Sequence, residues 1–197
     1  MVAGSERVRV HGYDTLSDDW YVLRKYRFGY RRADGSWQEL TREAYDRGNG
    51  AAILLYDPAR RSVFLTRQFR LPAFVNGHAD GMLLEAPAGL LDRDAPAAAI
   101  RREVEEETGF RLRHIEEVFA AYMSPGSVTE RLHFFVAEVS LADRIAAGGG
   151  DAGEGEDIEV VELPFAAALA AIASGEIVDG KTIMLLYPAK VARLIEG

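Results

Sequence analysis

Glu103, Glu106 and Glu107 are the residues of this chain whose type and spacing point most directly to chemistry. They lie in the segment Arg102-Glu103-Val104-Glu105-Glu106-Glu107-Thr108-Gly109-Phe110. On a helix, positions i, i+3 and i+4 share one face, so these three carboxylates project together while Glu105 points elsewhere. Like charges so placed weaken a helix by roughly a few tenths of a kcal/mol per pair. A hard divalent cation removes that repulsion. Mg²⁺ in particular is held by a few carboxylates together with substrate phosphate oxygens. Arg102 is placed to orient one carboxylate through a paired hydrogen bond. Gly89 lets backbone pack close to the helix, and the Ala88 carbonyl is a further candidate oxygen ligand. A glutamate triplet alone is also what a solvated helix face looks like. The spacing of the whole segment separates the two readings.

The elements that must position these groups are legible in outline. Asp94, Pro96 in the first turn and Gly109 after the end bound a helix over residues 95–108, with Ala97, Ile100 and Val104 as its apolar stripe. Its acidic face adjoins that stripe and so sits at the edge of the core. Ala51 to Tyr56 and Ser62 to Gln68 predict strands joined by a turn at Asp57 to Arg60. A loop is predicted over 71–81, containing Asn76-Gly77. A short strand, Met82 to Ala86, leads into Pro87-Ala88-Gly89. Further strands are expected at Ile115 to Met123, Leu132 to Val139 and Ile158 to Leu163, and helices at Phe165 to Ser174 and Lys181 to Ile195. Gly148 to Asp157, rich in glycine and acid, predicts a mobile loop. Residues 7–45, with Asp34-Gly35 as a hairpin dipeptide, predict a small antiparallel sheet. Strands early and helices later indicate an α+β fold or a mixed-sheet α/β sandwich.

Composition narrows the function classes. The chain has 197 residues, 48% of them hydrophobic, enough for one full domain and a small subdomain. It has no cysteine, which excludes disulfides, thiolate nucleophiles and Cys-based zinc sites. The net charge of −8 argues against nonspecific grip on nucleic acid or an anionic membrane. An anionic substrate then calls for a cation between it and the protein. Met1 to Val10 has no apolar signal region and no stretch reaches transmembrane length, so a soluble, cytoplasmic protein is expected. His11, His78, His114 and His133 are scattered, with no metal-ligand pair at helical spacing. Gly148-x-Gly150-x-x-Gly153 matches a dinucleotide fingerprint in letters only, since it does not join a strand to a helix. Trp20-Tyr21 and Phe134-Phe135 are expected as core or interface aromatics.

The segment from Gly89 to Phe110 resembles the Nudix box, Gly-x5-Glu-x7-Arg-Glu-U-x-Glu-Glu-x-Gly-U, with U a bulky apolar residue. Arg102 to Phe110 fits its second half at every position. The first half departs from it: the acid is Asp94, and only Leu90 to Arg93 separate it from Gly89, one residue fewer than the pattern. Tyr45-Asp-Arg-Gly-Asn-Gly50, Arg67-Gln-Phe-Arg70, Tyr122-Met-Ser-Pro-Gly126 with Glu130, Glu156-Asp157-Ile158 and Asp179-Gly-Lys181-Thr182 are similar to the GDP-mannose hydrolases of the Nudix superfamily. The short box loop looks like that group too. The ADP-ribose pyrophosphatases, its relatives, share Ser-Pro-Gly and the acidic loop.

The resemblance implies an α/β/α Nudix sandwich with a mixed sheet over residues 46–197, and an N-terminal antiparallel β subdomain over 1–45 that supports a homodimer. It implies Mg²⁺, with Mn²⁺ as the alternative, held by Glu103, Glu107, the Ala88 carbonyl and Glu156, with Glu106 assisting. Glu154 matches the general-base position of the ADP-ribose relatives, and the choice of base between Glu154 and Glu156 stays open. Arg70, Glu130 and Lys181 match substrate-contacting positions, as do Arg42 and Glu43, and Trp20 stands where the group stacks an aromatic on the base. The implied reaction is hydrolysis of GDP-mannose to GMP and mannose 1-phosphate. The rival readings are a pyrophosphatase for ADP-ribose or another nucleoside diphosphate sugar, and a non-catalytic nucleotide-sensing Nudix domain. Retention of Glu103, Glu106 and Glu107 speaks against the last.

Overall fold

The computed structural model describes residues 5–195. Its first three strands, β1 (Val8–Asp18), β2 (Val22–Arg31) and β3 (Trp37–Asp46), pair antiparallel in sequence order. β2 and β3 keep one register from Val22↔Asp46 to Arg31↔Trp37. In the turn between them the Asp34 carboxylate accepts from the Ser36 amide at 2.9 Å, the local bond that makes aspartate a turn former. β1 slips against β2 between Val10 and Gly12 and between Thr15 and Ser17. Such bulges disturb the inside/outside alternation, and most of β1 is exposed, Val10, Tyr13 and Leu16 included. Tyr122–Arg131 belongs to the same compact unit. There Val128 bridges to Tyr45, and the Thr129 hydroxyl donates to Asp46 at 2.9 Å.

The second unit is built on a seven-stranded sheet. β4 (Gly50–Asp57) and β5 (Ser62–Phe69) form its hairpin centre. The five-residue α1 (Leu71–Val75) follows, then β6 (Met82–Glu85), β7 (Ala88–Leu90) and α2 (Pro96–Thr108). After these come β8 (Glu116–Tyr122), β9 (Arg131–Glu138), β10 (Glu159–Pro164), α3 (Phe165–Ser174) and α4 (Gly180–Val191). The strand order is β10-β5-β4-β9-β8, with β6 on β5 and β7 on β4. β4 runs parallel to β9 and antiparallel to β5 and β7, so the sheet is mixed.

β4 is buried nearly throughout, which explains its unbroken apolar run instead of an alternating one. Ile53, Leu55 and Phe64 pack with Ile100, Val104 and Phe110 beneath α2, the Phe64 and Phe110 rings 4.7 Å apart. Alternation sends Ala52 and Leu54 to the opposite face, where α4 meets β4 and α3 meets β5. Buried Ala168, Ala171, Leu185 and Leu186 complete that layer. The arrangement is the expected α/β sandwich with helices on a mixed sheet. Among the described residues no helix is long and apolar enough to cross a membrane.

Four local readings are corrected or extended. The loop predicted over 71–81 begins with α1, whose Pro72 supplies a favoured first-turn residue. Ala88–Leu90, given no element from the sequence, is a strand paired with Gly50–Ala52. The last helix stops at Val191, because Arg193 turns left-handed at φ 51°. The glycine-acid segment is pinned as well as irregular, as described below. Trp20 is 76% exposed, so it takes no core position within the chain.

Candidate active site

α2 carries the carboxylates where the sequence places them. Pro96 starts the helix, and Gly109 ends it at φ 74°, its amide donating to the Glu105 carbonyl. The buried stripe Ala99, Ile100 and Val104 fixes the rotation of the helix. Glu107 is thereby drawn into the core edge at 2% exposure, Glu103 is half-buried and Glu106 is exposed. Glu105 points away to Arg111 at 3.0 Å. Arg102 donates to Glu103 at 3.0 Å and also binds Asp94, tying the short box loop to the helix. A Cβ on Gly89 would overlap the Glu103 carboxyl, so only glycine lets β7 pass this close. The Ala88 amide donates to Glu107 Oε2 at 3.2 Å.

The end of α2 also holds the glycine-rich segment. The Gly149 amide donates to the Glu107 carbonyl at 3.0 Å and the Gly150 amide to the Glu106 carbonyl at 3.2 Å. These are the orphan acceptors that every helix C-terminus leaves. The segment then makes a 3-10 turn, Ala152–Glu154. The Glu154 side chain lies outside what the structure describes. Glu156 accepts from the Asp151 amide at 3.0 Å. It is close enough to α2 for its charge to act on both Glu103 and Glu107. Burial, then Glu156 and Glu103, push the Glu107 carboxyl up to about 8. Burial also raises Glu103, and the Glu106 and Glu156 charges add to it against the pull of Arg102.

Two expected substrate-contacting cations meet on a residue that the sequence did not single out. Glu85, at the end of β6 and almost fully buried, accepts from Arg70 Nη2 at 2.6 Å and from Lys181 Nζ at 3.0 Å. Lys181 also reaches Asp179 at 3.0 Å, the residue that caps α4 through the Thr182 amide. Thr182 returns to β6's end through its hydroxyl, which accepts from the Ala86 amide at 2.6 Å. Burial alone would raise Glu85, but Lys181 and Arg70 overcome it and hold the carboxylate below its usual range. The Arg70 charge in turn lowers Glu107, so the cationic cluster adjoins the acidic one.

Comparison with known proteins decides what this constellation is. The family model described as the NUDIX domain matches residues 46–184. The chain belongs to the Nudix hydrolase family. A second model, the N-terminal domain of the GDP-mannose pyrophosphatase NudK, matches residues 7–45. This Nudix chain is 56% identical over 174 residues to a GDP-mannose pyrophosphatase of Pectobacterium atrosepticum, covering 88% of this chain and 89% of that one. It is 50% identical over 182 residues to the GDP-mannose pyrophosphatase of Klebsiella pneumoniae, covering 92% and 91%. A solved ADP compounds hydrolase shares the Nudix fold, with a TM-score of 0.75 over 98% of this chain and 97% of that one at 14% identity.

The donor set of the Nudix site fits a hard dication. It offers carboxylate oxygens and no thiolate, the chemistry that suits Mg²⁺ or Mn²⁺. Among the described residues no three acidic, His or Cys side chains already encircle one point. Mg²⁺ asks for no such cage, since it keeps waters and takes substrate oxygens as ligands. Crowding of like charge around buried Glu107 is what a dication relieves. The other expected contacts, Trp20, Arg42, Glu43 and Glu130, lie in the unit formed by the first three strands and Tyr122–Arg131. Trp20 packs edge-on to Tyr21 at 6.0 Å. Arg42 donates to the Thr41 carbonyl and Glu43 is exposed on β3. Glu130 is nearly buried against Arg47 at 3.3 Å.

Proposed function

We propose that this Nudix hydrolase cleaves the diphosphate bond of GDP-mannose, giving GMP and mannose 1-phosphate, with Mg²⁺ or Mn²⁺ as cofactor, in the cytoplasm. The observation that carries the chemistry is the carboxylate group of buried Glu107 with part-buried Glu103 and Glu156, beside the Arg70–Glu85–Lys181 cluster. The choice of substrate is supported by the relatives named GDP-mannose pyrophosphatase, at 50–56% identity.

Glu103, Glu107, Glu156 and the Ala88 carbonyl would hold the metal, with Glu106 assisting. When bound, it neutralises diphosphate charge and favours attack by water. The protein's own groups do the rest. Arg102 keeps Glu103 aimed through their 3.0 Å bond. Arg70 and Lys181, fixed by Glu85, offer positive charge to the phosphate oxygens. Glu154 or Glu156 accepts the proton of the attacking water. Their place on a segment anchored at one end on α2 lets the rest close over substrate. Trp20, Arg42, Glu43 and Glu130 contact the nucleotide and sugar.

Residues 1–45 form the dimerising β subdomain and 46–197 the hydrolase domain in this reading. Exposed Val10 and Tyr13, on the face of the N-terminal sheet that carries Phe28 and Tyr26, give it an apolar surface suited to a second copy. A sedimentation run at micromolar concentration is expected to show a dimer, and a monomer would remove that assignment. Turnover of GDP-mannose, GDP-glucose and ADP-ribose, with Mg²⁺ and with EDTA, tests the reaction. GMP and mannose 1-phosphate formed fastest from GDP-mannose, and only with metal, is the expected result. Faster ADP-ribose turnover would overturn the substrate, and turnover in EDTA would overturn the metal.

A further inference from the structure

A cavity of about 740 Å³ opens in the second unit where the β4–β5 turn meets the start of α3 and the end of α4. Its wall carries Arg60, Arg61, Lys190 and Arg193, and among the described residues no carboxylate lines it. The chain as a whole has 31 acidic and 23 basic residues, so a wall whose described charged groups are all basic runs against its composition. The apolar part includes Phe165, Leu169 and Ile195, the first and last of them buried.

Backbone conformation gives a second, independent observation. Among the described residues three non-glycine residues have positive φ, and two of them are Arg61 at 56° and Arg193 at 51°. The third, Asp92, is of a type that tolerates this conformation. Arginine is not, and glycine would be the unstrained choice at both places. Both strained arginines line this one cavity. At both turns an arginine side chain is thus kept at a backbone cost that glycine would not carry.

The site is distinct from the carboxylate site. Arg61 and Arg70 stand at opposite ends of β5, roughly 30 Å apart at the rise of an extended strand. Lys181 and Lys190 stand near opposite ends of α4, about 14 Å apart at helical rise.

The geometry points to a second ligand site that binds a small phosphate ester, the phosphate among the guanidinium groups and an organic body over Phe165, Leu169 and Ile195. Guanidinium groups match phosphate oxygens in charge and fork geometry. The volume suits a molecule the size of a mononucleotide or sugar phosphate. Arg60 is already bound to Glu162 by two hydrogen bonds, at 2.7 and 3.0 Å, so Arg61, Lys190 and Arg193 are the groups that take the phosphate.

Calorimetric titration of EDTA-treated protein with GMP, mannose 1-phosphate and inorganic phosphate tests this site. At least one ester is expected to bind, and the Arg61→Gly/Arg193→Gly pair to weaken it about tenfold or more. That double variant relieves backbone strain, so it is expected to fold and to keep its turnover. Lys190→Gln, on an exposed side chain, is expected to weaken binding in the same direction, whereas Glu107→Gln leaves it unchanged. Absence of ester binding would overturn the site. Equal affinity for inorganic phosphate would overturn the ligand class. Binding abolished by Glu107→Gln but not by the arginine variants would assign it to the carboxylate site instead.

Discussion

Glu85→Gln is the perturbation that most directly tests how the cationic half of the proposed active site is held. Glutamine keeps the shape and can still accept a hydrogen bond, but it removes the negative charge between Arg70 and Lys181. Breaking a buried pair by removing one partner costs about 3–5 kcal/mol. Two features reduce that figure here. The Arg70 side chain is 38% exposed and is partly screened by water, and Lys181 retains Asp179 at 3.0 Å. A loss of about 2–3 kcal/mol is therefore expected, measured by urea unfolding of metal-free protein. Glu85 is held below its ordinary value of 4.5. Its contribution is fully present above that value and drains away as pH falls through the lowered one. The stability gap between wild type and variant is thus expected to persist at pH 6–8 and to close in acid. In kinetics, freed Arg70 and Lys181 side chains are expected to lower kcat/KM by about a hundredfold through loss of positioning. A stability change below about 0.5 kcal/mol, within the range of ordinary surface substitutions, would refute the view that Glu85 anchors the cluster.

Glu107→Gln is expected to abolish metal-dependent turnover with the fold intact, and near-wild-type kcat would refute its assignment as a ligand. The same variant carries a pH signature in metal-free protein. Because burial pushes folded Glu107 up to about 8, the native state holds a proton that the unfolded chain releases at lower pH. Wild-type stability should therefore fall relative to the variant as pH rises from about 5 to 8, and parallel stability curves would count against it. Gly89→Ala forces the Glu103 carboxyl away from Arg102, so kcat is expected to fall about a hundredfold with little change in stability; wild-type kcat would show that Glu103 needs no such placement. Glu154→Gln and Glu156→Gln are expected to differ, one mainly weakening metal affinity and the other mainly lowering kcat. Identical kinetic and metal-titration profiles would undo that division of roles.

What was legible in the sequence was what local signals specify. Pro96, Gly109 and the stripe through Ile100 and Val104 delimit α2 to within a residue of its observed span. The i, i+3, i+4 spacing fixes which glutamates share a face. A long apolar run shows β4 because burial on both faces leaves no room for alternation. Glu85 was not legible. It is a lone acid ending an otherwise apolar strand, and its meaning comes from two cations distant in sequence that converge on it only in the fold. Arg70 and Lys181 were marked by resemblance, yet nothing in their own segments says that they share one carboxylate. α1 was hidden because five residues are too few to show a helical period, and Asn76-Gly77 signals a turn more strongly. The anchoring of Gly149 and Gly150 depends on knowing which carbonyls the end of α2 leaves unsatisfied. Composition alone predicts only that such a segment is pliable.

The charge order along α2 gives a reason why a cation would suit the proposed site. A helix favours acid near its N-terminus and base near its C-terminus, because its dipole leaves partial positive and negative charge at those ends. α2 has no acid in its first turn and no base in its last, and its glutamates occupy the C-terminal half. Helix dipole, burial of Glu107 and mutual repulsion with Glu103 and Glu156 therefore oppose ionisation together. The fold tolerates this because the core under Ile100 and Val104 holds the helix, and because the amides of Gly149 and Gly150 cap the carbonyls that would add to the negative end. The strain falls where local rules and function conflict. A dication bound by these carboxylates reverses the sign of the field that each of them feels. Metal binding at these carboxylates would therefore release the proton that burial and repulsion keep on Glu107.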